Sequence, residues 1–357
     1  MAHRQNTLIL FGGVSNEYEV SLRSTCSILE NLDLDRFEPV LCGITREGRW
    51  LLCEADTAAI RADVWQERGR PAFLSPDRSV AGVMVCENSG LRTLPIDVIF
   101  PAMHGQNCED GALQGLLTLS GIPYVGCGVC ASAVCFDKVF THMAAERIGV
   151  PMARFEQVFR WEDSTTAQRR IAQKIGYPCF VKPVNSGSSV GCSPVHTPGE
   201  LEAALQNAFQ HDTRALVEEL VLAQEVECAV LGNLQPIAPT TGEIVTPGGF
   251  YDYDSKYKND CAQLCVPANI PVATQNEVRR LALLIYQALG CRGLARADFF
   301  VKSDGSVLFN EINTMPGFTS ISMYPRMLLA AGLTYQDLIS RLLELAIEEH
   351  PRAASKE

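Results

Sequence analysis

Residues 294–313 read LARADFFVKSDGSVLFNEIN, and no other stretch limits the fold as tightly. Asp304-Gly305 lies between two alternating apolar runs, and Asp-Gly in that setting is among the strongest short signals for a β-hairpin. With those two residues in the turn, Asp298 faces Glu311 and Arg296 faces Asn313. Successive strand residues alternate sides, so these four share one face while Phe299, Val301, Leu308 and Ile312 point to the other. Directly opposed side chains have Cβ atoms about 5 Å apart, and like charges there repel. Either water screens the pair on an exposed polar face, or a cation lies between the carboxylates. Oxygen ligands that leave coordination positions open suit Mg²⁺, which usually takes one or two carboxylates together with substrate phosphates. Asn313 is a third oxygen donor, and the Pro-Gly loop NTMPGFTS begins where the face ends.

A second stretch, FVKPVNSGSSVG at 180–191, pairs with the first. Lys182 closes an apolar run, and a Gly/Ser-rich loop follows it. The common phosphate loop places its lysine after the glycines, at a helix start. The order here suits a lid instead: a lysine at a strand end, beneath a loop whose backbone N–H groups are free to fold over phosphate. A phosphate lysine beside a cation site points to nucleoside triphosphate chemistry.

At 357 residues the chain exceeds what one core organises, which implies two or three domains. A formal charge of -11 argues against nucleic acid or an anionic membrane as main partner. No apolar run reaches about 18 residues, so no membrane span is expected. The N-terminal TLILF reads as a strand, not as a secretory segment, and a cytoplasmic protein follows. The fourteen cysteines are then free thiols. Cys127 and Cys130 form an isolated C-x-x-C, read as small buried hydrophobes near a helix start. Strand 7–11, a helix from about 20 to 32 and strand 39–45 suggest a parallel α/β sheet. Residues 49–95 look irregular, as an insertion. Further on come a strand near 100, a helix ending at Gly121, a short strand at 122–126, a helix at 132–148, strand 179–184, a helix at 198–208 and strand 214–220. The last helix has Thr334 as N-cap and Asp337 at the capping-box position.

Six segments together carry a resemblance: FGGVSNEYEVSL, HGQNCEDGALQG, GIPYVGCGVCASAVCFDK, FVKPVNSGSSVG, FYDYDSKY and ARADFF…NEINTMPGFTS. They run in order from about residue 8 to 330, and the chain resembles the D-alanine–D-alanine ligases of the ATP-grasp superfamily. The resemblance implies an α/β protein, α+β in its C-terminal half, of three domains. These are an N-terminal Rossmann-like substrate domain with a parallel sheet (1–126), a central ATP-grasp subdomain (127–217) and a C-terminal ATP-grasp subdomain with the magnesium site (218–350). It implies ATP-dependent phosphorylation of one D-alanine carboxylate and attack by the amine of a second D-alanine.

By resemblance, Lys138, Lys182 and Lys256 hold ATP phosphates, and Glu218 and Glu225 match the adenine and ribose positions. Asp298, Glu311 and Asn313 match ligands of Mg²⁺ or Mn²⁺, two ions in all. Arg296 and the Gly317 N–H match the groups that stabilise developing charge. Glu17 matches the acceptor of the first substrate's ammonium, with Ser188 and Tyr257 as its partners, and His104 and Ser322 fall at other substrate positions. Cys108, Ala223 and His142 depart from the family's usual glycine, glycine and lysine. A homodimer is implied. A D-alanine–D-serine ligase, or another ATP-grasp carboxylate–amine ligase, is the competing reading.

Overall fold

The computed structural model describes residues 4–245 and 263–349, and three sheets carry the architecture. The first consists of β1 (Gln5–Gly12), β2 (Phe37–Ile44), β3 (Trp50–Cys53), β4 (Arg70–Leu74), β5 (Gly82–Glu87), β6 (Gly90–Pro95) and β7 (Val98–Ala102). Their order is β6-β5-β4-β3-β2-β1-β7. β1 runs parallel to β2 and β7, with α1 (Tyr18–Glu30) as the crossover to β2. Residues 49–95 are not an irregular insertion: apart from the short α2 (Thr57–Arg61) and a 3₁₀ turn, they supply β3 to β6, antiparallel strands that extend the sheet. β6 is almost wholly exposed, so it carries no apolar alternation to read. Residues 122–126 make only the bridge between Ile99 and Tyr124. Pro123 has no N–H to donate, and Gly126 at φ +108 turns the chain away.

α3 (Ala112–Ser120) stops at Gly121, as expected. The single helix expected at 132–148 is two, α4 (Val129–Phe136) and α5 (Lys138–Arg147). Asp137 separates them, and its carboxylate accepts the Phe140 N–H at 3.0 Å, which caps α5. Of the C-x-x-C pair, Cys127 is buried and Cys130 exposed, both as free thiols.

The second sheet has the order β10-β9-β11-β8, from β8 (Phe155–Phe159), β9 (Cys179–Pro183), β10 (Ser193–Val195) and β11 (Arg214–Glu219). With α6 (Ser164–Lys174) and α7 (Leu201–Ala208) it encloses its own core, including Val158, Ile171, Val181, Leu205 and Val217. The third sheet, β14-β13-β12-β15-β16, is antiparallel throughout. Its strands are β12 (Gln224–Leu231), β13 (Thr241–Val245), β14 (Gln263–Cys265), β15 (Leu294–Val301) and β16 (Val307–Asn313).

Helices α8 (Val272–Ala288), α9 (Met323–Ala330) and α10 (Tyr335–Glu349) complete this half. Thr334 and Asp337 form the expected cap of α10: Thr334 Oγ1 donates to Asp337 Oδ2 at 2.6 Å and accepts the Asp337 N–H at 3.0 Å. The core of the first sheet continues into this half, where Ile9, Phe11 and Phe100 pack in one cluster with Phe318, Tyr324, Leu338 and Leu342.

Candidate active site

The β15–β16 hairpin places Asp298 opposite Glu311 and Arg296 opposite Asn313, through two departures that cancel. The turn has three residues, not two: the Lys302 N–H donates to Ser306 O and the Gly305 N–H to Lys302 O, both at 2.9 Å, with Gly305 left-handed at φ +83. Next to the turn Phe299 therefore pairs with Phe309, and Val301 with Val307. Asn310 is then an extra residue, bulged out, and it restores the alignment. Val307 and Phe309, rather than Leu308, join Phe299, Val301 and Ile312 in the core. Without the bulge Glu311 would share the buried face of Phe309. Bulges often lie beside active sites because they re-aim side chains, and here Lys182 Nζ donates to Asn310 Oδ1 at 3.0 Å.

A third carboxylate joins the face, since Glu227 on β12 is the cross-strand partner of Asp298. The alternation in EVECAVL carries its signal: Val226, Cys228 and Val230 are buried, which turns Glu225 and Glu227 the other way. Arg296 forks onto Asp298, Nε to Oδ1 at 2.8 Å and Nη2 to Oδ2 at 2.7 Å, and its Nε is 3.2 Å from Glu227 Oε2. Burial disfavours the cation, but the charges of Asp298 and Glu227 outweigh it and raise the guanidinium pKa further. Asp298, Glu311 and Asn313 bring two carboxylates and a carboxamide oxygen to one face, a hard donor set that fits Mg²⁺ or Mn²⁺. Asn313 Oδ1 accepts the Met315 N–H at 3.0 Å, which orients it and leaves a second lone pair.

The lysines approach from the second sheet and α5. Lys138 Nζ donates to Ser186 O at 2.6 Å and is 3.7 Å from Glu311 Oε2. Lys182 Nζ is 2.6 Å from Glu218 Oε2, and His142 Nε2 is 2.8 Å from Glu218 Oε1. Burial resists ionisation of Glu218, yet the Lys182 charge and the His142 hydrogen bond overcome it and hold its pKa down at about 2. His142, a departure from the family pattern, is thus tied into the expected nucleotide pocket. Its pairing had no signal in the sequence. Neither Cys108 nor Ala223 has left-handed backbone. The strain falls instead on Asn107, at φ +65, and asparagine tolerates it.

A cavity of about 320 Å³ brings most of the expected residues together: Glu17, His104, Lys138, Ser188, Arg296, Glu311, Asn313, Gly317 and Ser322 line it. Lys182, Glu218 and Asp298 are buried and do not line it, and neither does Glu225 on β12. Glu17 stands at the start of α1 and accepts a hydrogen bond from Ser188 Oγ. A Cβ on Gly187 would come within 3.3 Å of Glu17 Oε2, so the loop approaches as closely as it does because no side chain intervenes. Ser322 Oγ accepts the Thr319 N–H at 3.1 Å. Lys256 and Tyr257 lie outside the described residues. Glu109, not singled out in the sequence, also lines the cavity, and its Oε1 accepts the Gly105 N–H at 2.9 Å. Burial first, then the nearby Glu17 charge, pushes the Glu109 pKa well above the ordinary carboxylate value.

A Rossmann-like first sheet, a four-stranded second sheet and a five-stranded antiparallel third sheet, superposing on solved ligases, make the fold that of an ATP-grasp ligase. Residues 6–127 match the family model "D-ala D-ala ligase N-terminus" and residues 144–344 match "D-ala D-ala ligase C-terminus". The chain belongs to the D-alanine–D-alanine ligase family. It is 44% identical to the D-alanine–D-alanine ligase of Caldicellulosiruptor bescii, over 97% of this chain and 96% of that one. It is likewise 44% identical to that of Acetivibrio thermocellus, over 98% of each. Among solved structures, the VanG D-Ala:D-Ser ligase from Enterococcus faecalis superposes with a TM-score of 0.89 at 38% identity, covering 96% of this chain and 100% of that one. The D-alanine–D-alanine ligase from Coxiella burnetii gives 0.85 at 34%, covering 98% and 95%.

Proposed function

We propose that this chain joins two D-alanine molecules into D-alanyl-D-alanine at the expense of ATP, for peptidoglycan precursors. The observation that carries the reading is the single cavity in which Glu17 and Ser188 face Arg296, Glu311, Asn313 and Gly317. It offers an ammonium acceptor and charge-stabilising groups within one space.

Glu17 holds the ammonium of the first D-alanine, with Ser188 and Tyr257 orienting it. Lys138, Lys182 and Lys256 hold the phosphates, and Glu218 and Glu225 the adenosine. Asp298, Glu311 and Asn313 would hold Mg²⁺ or Mn²⁺, two ions in all, which would offset phosphate charge. The substrate carboxylate displaces ADP from the γ-phosphorus. The amine of the second D-alanine adds to the acyl-phosphate carbonyl and gives up a proton to solvent, with His104 and Ser322 at other substrate positions of the cavity. Collapse of the tetrahedral adduct expels phosphate and leaves the amide. Arg296 and the Gly317 N–H stabilise the oxyanion, and one such preorganised donor lowers the barrier by about 3 kcal/mol.

We also assign three units, 1–126, 127–217 and 218–350, a homodimer and a cytoplasmic setting. The three sheets and the two family matches support the units. No helix among the described residues is long and apolar enough to cross a membrane, in keeping with that setting.

The deciding experiment measures product from D-alanine alone and then with D-serine competing, each with ATP and magnesium. D-alanyl-D-alanine as main product is expected. The likeness to a D-Ala:D-Ser ligase makes D-serine the second reading. A much larger kcat/KM for D-serine as second substrate would establish it. Glu311→Ala is expected to abolish ATP turnover, and unchanged turnover removes the metal assignment.

A further inference from the structure

We infer that Ser24, a residue of α1 outside every role assigned above, is a positioning residue that fixes the Gly317 amide for catalysis through His104. The inference rests on the proposed ligase reading. Ser24 is fully buried, on the same helix that begins after Glu17. Its Oγ is 3.0 Å from His104 Nε2 and accepts the Phe318 N–H at 3.1 Å. His104 Nδ1 is 2.9 Å from Met315 O.

These contacts allow one consistent set of protons. A carbonyl oxygen only accepts, so His104 Nδ1 carries hydrogen toward Met315. Burial disfavours the imidazolium and lowers the His104 pKa, against the pull of Glu17 and of the Met315 carbonyl. The ring is then neutral, Nε2 accepts, and the Ser24 hydroxyl donates to it. The Ser24 oxygen is left to receive the Phe318 N–H.

The two anchors, Met315 C=O and Phe318 N–H, flank Gly317 on either side. Among the described residues the Gly317 N–H has no acceptor, and a Cβ at this position would come within 2.8 Å of Ser322 Oγ. The segment is therefore held at both ends with one N–H open to the cavity. Ser24 follows Glu17 by two helical turns, about 10 Å. Helix α1 thus sets the distance between the acceptor of the substrate ammonium and the donor to its carbonyl.

The test compares wild type with Ser24→Ala. Loss of the hydroxyl should lower kcat for dipeptide formation about tenfold or more, since small misplacements of catalytic groups carry penalties of that size, while the KM for ATP stays within about twofold. A wild-type chain that makes no D-alanyl-D-alanine defeats the ligase reading. A wild type that makes it, with a folded Ser24→Ala variant that makes it equally fast, defeats only this inference. Should the variant fail to fold, ¹⁵N NMR of wild-type His104, assigned with His104→Gln, decides. A neutral ring protonated at Nδ1 from pH 6 to 8 supports the relay, and an Nε2–H tautomer or titration in that range overturns it.

Discussion

At the scale of single residues, Glu109 and Arg296 show how burial sets the electrostatics of the cleft. Glu109 lines the cavity near Glu17, and its pKa is raised well above 4.5, first by burial and then by the Glu17 charge. A carboxyl whose folded pKa is raised keeps its proton in the folded state after the unfolded chain has lost it. Its contribution is therefore fully present below about 4.5 and declines as pH rises toward the folded value. Glutamine has the same shape and no proton to lose. Thermal melts of Glu109→Gln from pH 5 to 8 should fall less steeply with pH than those of wild type, and parallel curves would refute the assignment. Arg296 is the counter-charge to Asp298 and Glu227. Lysine keeps the charge but not the fork that reaches both Asp298 oxygens. Arg296→Lys should fold and lose about a hundredfold in kcat, the scale of one preorganised donor. Steady-state kinetics with near-normal kcat would show that the fork is not needed.

At the scale of elements, the β15–β16 hairpin shows what a sequence reveals and what it hides. Asp304-Gly305 and the flanking alternation placed Asp298 against Glu311, and the pairing is as read. The three-residue turn and the Asn310 bulge were illegible because their one-residue shifts cancel and leave the distant pairing unchanged. Only the core assignment betrays them, through Phe309 and Val307 in place of Leu308. β6 was unreadable for a different reason: exposed on nearly every residue, it has no pattern of burial to impose on its composition. Glu227 could have been found by applying to β12 the alternation rule used for β15. The Glu218–His142 pair could not, because it joins β11 to α5 through tertiary packing alone. The bulge has a consequence of its own. Asn310 gives Lys182 its second partner beside Glu218, and a hydrogen bond to a charged group contributes about 2 kcal/mol. Asn310→Ala should therefore raise the KM for ATP roughly thirtyfold with little change in kcat. A kcat defect at constant KM would place the bulge's effect on the chemical step instead.

At the scale of the whole molecule, three sheets do not mean three independent cores. The second sheet encloses its own cluster, from Val158 to Val217. The first does not: Ile9, Phe11, Val98 and Phe100 share a cluster with Phe318, Tyr324, Leu338, Leu342 and Leu345, which come from the far end of the chain. Phe100 and Phe318 meet edge to face at 5.6 Å, and Arg36 pairs with Glu344 of α10 at 2.8 Å. Each buried leucine of α10 contributes roughly 2 kcal/mol by its removal from water, before the entropy of ordering the helix is subtracted. The same shared packing sets where α1 lies relative to the loop of Gly317, and so couples the two ends of the cleft. A fragment of residues 1–126, cut where the sequence suggests a domain ends, would expose the apolar face that α10 covers. It is expected to lack a cooperative thermal transition and near-UV circular dichroism. A fragment of 151–219, which keeps its core intact, should show both. A cooperative melt for 1–126 alone would mean that the first sheet is stable without the C-terminal helices, and that the geometry of the cleft is set by the docking of separate bodies.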